Sequence, residues 1–79
     1  MSGRLPRVSH REVRKVLARV GYAEVRQKGS HLRLRHPEPQ QRKPVTVPLQ
    51  DVIKPGLLHR ILRDAGLTAD EFSSLLREV

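Results

Sequence analysis

Tyr22-Ala23-Glu24-Val25-Arg26-Gln27, Lys28-Gly29-Ser30 and His31-Leu32-Arg33-Leu34-Arg35 follow one another without a break. The run reads as strand, tight turn and strand. In the second strand Leu32 and Leu34 alternate with His31, Arg33 and Arg35, so the two sets must point to opposite faces. The leucines need a core. That need places helices on one side of a sheet and leaves the histidine and the arginines on the other, where Arg26 and Thr46 should join them.

Working outward, residues 9–20 have the pattern of an amphipathic helix. Ser9 and Glu12 make a capping box, with Val8 and Val13 as its staple. Val13, Val16, Leu17 and Val20 form the apolar stripe, and Gly21 ends the helix. After the hairpin, residues 36–43 are a polar loop broken by prolines. Val45-Thr46-Val47, between Pro44 and Pro48, is a short strand of the kind found at a sheet edge. Leu57, Leu58, Ile61, Leu62 and Ala65 then make a second helical stripe, which stops at Gly66. Thr68 and Glu71 cap a last helix through Leu75, Leu76 and Val79, with Leu67 and Phe72 as staple. The order α-β-β-β-α-α predicts a two-layer α+β domain, its helices on one face of a three-stranded antiparallel sheet.

At 79 residues the chain has room for one domain, taken as 1–79 with 1–7 as a flexible extension. The absence of cysteine excludes disulfides, thiolate metal sites and cysteine nucleophiles. No apolar run approaches the roughly 20 residues that span a bilayer. Met1 to Arg7 lacks the apolar stretch of a signal peptide, and the expected location is the cytoplasm. Sixteen Lys and Arg against eight Asp and Glu give a net charge of +8. Residues 1–43 carry twelve basic and three acidic side chains, whereas residues 44–79 carry four and five. A basic front and a near-neutral back predict a polyanion as partner, since each neutralised phosphate releases counterions. A solvated basic surface without a specific ligand is the plainer reading.

The sequence lacks metal-binding histidine spacings, a G-x-S-x-G elbow and a phosphate-binding loop. Acidic residues are too few in the basic half for a two-metal nuclease site, so neither metal nor cofactor is expected. His31 remains, following a glycine turn among Arg26, Lys28, Arg33 and Arg35. Histidine exchanges protons near neutral pH, and cations stabilise charge that builds on a phosphoryl oxygen. In RNA the 2′-hydroxyl is a built-in nucleophile. On the residues alone, His31 is either the proton carrier of an RNA-cleaving site or an ordinary polar strand residue.

Gly21-Tyr22 together with Arg26-Gln27-Lys28-Gly29-Ser30-His31 resembles the first-strand and turn signature of HicA toxins. Val45-Thr46-Val47-Pro48, Ile53-Lys54-Pro55-Gly56-Leu57-Leu58, Ile61-Leu62 and Ala65-Gly66-Leu67 resemble the second half of that family. The resemblance implies a double-stranded-RNA-binding-like fold, metal-independent endoribonuclease (mRNA interferase) activity and neutralisation by a HicB-type antitoxin. It places the catalytic histidine at His31 and the turn presenting it at Gly29 and Ser30. One departure stands out: many members carry a histidine where this chain has Gln50. Arg26, Lys28, Ser30, Arg33 and Arg35 are the candidate RNA contacts. Lys54 joins them because it precedes a helix start, where phosphate is favoured. Gln27 either contacts RNA or finishes its strand. Tyr22 reads as core, with base stacking as the other possibility. His10, His36 and His59 read as surface residues, and the charged form of His10 is disfavoured in a first helical turn. Two further functions stay open: a non-catalytic RNA-binding module related to HicA, and a domain whose basic face docks an acidic protein.

Overall fold

The computed structural model describes residues 5–79. Its order is α1 (His10–Arg19), β1 (Ala23–Lys28), β2 (His31–Arg35), β3 (Val45–Pro48), α2 (Pro55–Ala65) and α3 (Ala69–Glu78). The strands form one antiparallel sheet in the order β1-β2-β3. This is the α+β arrangement expected from the sequence. Residues 1–4 of the anticipated N-terminal extension lie outside the described residues, while Leu5 rests half-buried against the core.

Local chemistry sets the helix boundaries. At α1, Ser9 Oγ accepts from the Glu12 backbone N–H while the Ser9 N–H donates to Glu12 Oε1. Thr68 and Glu71 repeat this reciprocal cap at α3. Pro55 opens α2, where its missing N–H costs nothing, and Gly66 closes it in the left-handed conformation at φ 72°. Each helix sends its apolar stripe to the same place. Val13, Val16 and Leu17 from α1, Leu58, Ile61 and Leu62 from α2, and Phe72 from α3 close over Leu32, Leu34, Val45 and Val47. A bridge between Val8 and Ile53 ties the lead-in to α1 to the segment before α2.

β1 starts and ends one residue later than the sequence suggested. Tyr22 belongs to the end of α1, since its N–H donates to the Leu17 carbonyl. Its ring is buried, and its hydroxyl donates to the Lys43 carbonyl at 2.7 Å; it is a core residue, not a stacking platform. Burial holds its phenol above the ordinary tyrosine range. At the other end the turn shrinks to Gly29-Ser30, because Lys28 pairs with His31. Gly29 has φ 59° and Ser30 a negative φ, the sign pattern of a two-residue hairpin turn with glycine first.

Two histidines assigned to the surface are structural. His36 is half-buried, its Nδ1 accepting from the Glu38 N–H and its Nε2 donating to the Val20 carbonyl at 2.8 Å. It thereby closes the end of α1, and its ring meets Tyr22 edge-on. His10 is buried at 9% exposure, with its N–H on the Gln50 carbonyl and Arg14 Nη1 at 3.3 Å from its Nδ1. Periodicity assigned both to solvent because the groups that bury them come from distant segments.

Burial, then Arg11 and Arg14, hold the His10 pKa below 6.5. The unfolded chain therefore takes up this proton first as pH falls through the usual histidine value, and the fold loses stability. Between pH 7.5 and 5.5, thermal unfolding of wild type should shift down more than that of His10→Gln. Parallel curves would show that His10 carries no such linkage.

Candidate active site

The outer face of the sheet is built in rows. Lys28, His31 and Pro48 lie across from one another, then Arg26, Arg33 and Thr46. An irregularity in β1 between Glu24 and Arg26 makes the second row possible. With regular pairing from Ala23 opposite Arg35, Val25 and Gln27 would share the face of Arg33 and His31. The bulge inserts one residue and turns Arg26 and Lys28 onto that face instead. It also leaves Val25 half-exposed, and every residue of β1 is exposed.

Side-chain contacts fix part of the face. Arg33 Nη1 donates to Thr46 Oγ1 at 2.9 Å, holding the guanidinium over the β2–β3 pair. Gln27 Nε2 donates to the Gly29 carbonyl at 3.2 Å, which gives it a structural role in the turn. The Ser30 carbonyl accepts from the Leu49 N–H at 2.7 Å, so the turn is anchored to the chain beyond β3. His31 is exposed, and its side chain makes no hydrogen bond within the described residues. It is held by backbone pairing on both sides and is free to meet a ligand.

Two hollows meet at this point. One, of about 580 Å³, lies over the sheet and is lined by Arg26, Lys28, Arg35 and the shared trio His31, Arg33 and Thr46. The other, of about 440 Å³, runs from the same trio over the β3 edge to α2, where Gln50, Arg60 and Asp64 line it. Among the described residues, the ion pairs are Arg14 with Glu24 and Arg19 with Glu78. Arg26, Lys28, Arg33 and Arg35 therefore present uncompensated positive charge around the histidine. No cluster of three His, Cys, Asp or Glu side chains suited to a metal ion occurs among the described residues.

The structure gathers Arg26, Lys28, His31, Arg33 and Arg35 on one surface, with Gly29 and Ser30 at its rim. Lys54 is not part of it. Lys54 is the exposed N-cap residue of α2, without a side-chain cap, and lines neither hollow. Arg60 and Asp64 were missed in the sequence. With Leu57 they recur at helical spacing beside the buried stripe of α2, a pattern that any solvated helix flank shares. Gln50, noted for the histidine it replaces, lines the groove with His31. Its backbone is fixed by its N–H on the Pro48 carbonyl and its carbonyl on the His10 N–H.

No helix among the described residues is long and apolar enough to cross a membrane. The family model described as HicA toxin of bacterial toxin-antitoxin matches residues 10–67, well over half of the chain. A search of curated proteins found no match.

Proposed function

The chain belongs to the HicA toxin family of bacterial toxin–antitoxin systems, and from that premise we propose that it is a metal-independent endoribonuclease that cuts mRNA at His31. The observation that carries this reading is the place of His31, exposed where two hollows meet and ringed by unpaired cations.

In the proposed reaction the His31 imidazole takes the proton of a 2′-hydroxyl. The freed oxygen attacks the adjacent phosphorus, the bond to O5′ breaks, and O5′ leaves with a proton from solvent. The products are a 2′,3′-cyclic phosphate and a 5′-hydroxyl. Arg33, steadied by Thr46, is positioned to neutralise the phosphoryl oxygens as charge accumulates. Arg26, Lys28 and Arg35 track the backbone on either side, and Ser30, the turn residue that precedes His31, is a further RNA contact in this reading. Lys54, on the start of α2, is at most a peripheral phosphate contact.

Family membership implies an antitoxin partner. In this reading it is a HicB-type protein in the same cytoplasm. It covers the cationic face with an acidic surface, and its association slows as salt rises.

Salt-dependent RNA affinity tests the surface directly. On single strands each phosphate contact contributes about −0.7 to the slope of log affinity against log salt. The paired variant Arg33→Ala, Arg35→Ala should reduce that slope by about 1.4. An unchanged slope would remove the sheet face as the RNA site.

A further inference from the structure

One acidic side chain stands apart in this basic surroundings. Asp64 lines the groove between β3 and α2, whereas the hollow over the sheet has no carboxylate in its lining. Its position is unfavourable for the helix. α2 ends at Ala65, and a negative charge in the last turn opposes the helix dipole. Nor does the fold compensate it: within the described residues the Asp64 carboxylate makes no hydrogen bond and no ion pair. What the fold does use is its backbone, since the Asp64 carbonyl accepts from the Lys43 N–H at 2.8 Å and pins the loop before β3.

A carboxylate beside an RNA path repels phosphate, so its use there must be with a base. The groove suits one. It holds about 440 Å³, within the usual ~300–1,000 Å³ of small-ligand sites. Pro44, Pro48 and Leu57 give it apolar walls, and His31 and Arg33 stand at its mouth. A carboxylate only accepts hydrogen bonds. Guanine alone of the four RNA bases offers two adjacent donors, N1–H and the N2 amine, to a pair of carboxylate oxygens.

We propose that this groove is a specificity pocket for a guanine base next to the scissile phosphate, read by Asp64. Arg60, one turn earlier on α2 and in the same groove, holds the phosphate of that nucleotide. The assignment of a cutting position rests on the RNA-cleaving role of His31; base recognition does not.

Two measurements separate these layers. The first follows the backbone and side-chain resonances around Asp64 while 3′-GMP, 3′-AMP, 3′-CMP or 3′-UMP is added to wild type and to Asp64→Asn. Selective binding of 3′-GMP by wild type, reduced ~5–150-fold in the variant, is expected. The second measures cleavage of oligoribonucleotides that differ at one base. Wild type should prefer guanine by a similar factor, and Asp64→Asn should lose the preference. Equal binding of all four nucleotides overturns the proposal, as does a guanine preference that survives in the variant. An adenine preference would also overturn it and give the pocket to the Gln50 amide, whose donor and acceptor match adenine. If no RNA is cut by either protein, the reaction assigned to His31 fails, while the nucleotide titration still decides the pocket.

Discussion

Alanine in place of His31 should slow RNA cleavage by ~10²–10⁴, while stability stays within about 0.5 kcal/mol of wild type. The rate loss is what a positioned general base contributes to proton transfer. The unchanged stability follows from the surroundings. The imidazole is exposed and holds no other group in place, and the ladder contacts of residue 31 with Lys28 and Pro48 belong to the backbone. Single-turnover cleavage rates set beside thermal melts check both halves. Equal rates would move the chemistry elsewhere. A large loss of stability would mean that His31 supports the hairpin and that any fall in rate is indirect.

The second large effect concerns the fold. Phe72 is fully buried, sits at the fourth residue of α3 behind the Thr68 cap, and joins Leu67 in the core. Phe72→Ala removes most of a ring from a closely packed site and should cost about 3–5 kcal/mol. A chain of 79 residues has roughly 4–12 kcal/mol to lose. The midpoint of thermal unfolding should therefore fall by ~12 °C or more, at ~4–8 °C per kcal/mol. Val25→Ala is the matched control, because Val25 is 51% exposed and its truncation should stay within about 0.5 kcal/mol. Similar midpoints for both variants would place the core elsewhere than under α3.

What could be read from the chain was what short-range rules determine. Ser9 with Glu12 and Thr68 with Glu71 announce two helix starts, because a capping box is complete within four residues. The leucines of β2 announce the sheet face, and with it the outward direction of His31, Arg33 and Arg35. The bulge at Val25 was not legible. It depends on how β1 pairs with β2, and a one-residue slip exchanges the faces of everything beyond it. The same limit explains His10 and His36, which are held by backbone groups of Gln50, Glu38 and Val20 that helical or strand periodicity does not register. It explains Asp64 as well: α2 brings it to the β3 edge only after the helix has docked. Lys54 was singled out by a rule about helix N-termini, and it caps α2 without lining either hollow, although Leu57 in the first turn of that helix lines the groove.

Those differences bear on selectivity more than on the central assignment, which rests on His31 at the start of β2, a strand that the sequence and the structure describe alike. The most direct test is to incubate wild-type protein with mRNA in EDTA and determine the ends of whatever forms. Fragments with 5′-hydroxyl and 2′,3′-cyclic phosphate ends, absent with His31→Ala, are the predicted result. RNA that is bound but intact, or cut only after magnesium is restored and then carrying 5′-phosphates, would contradict it.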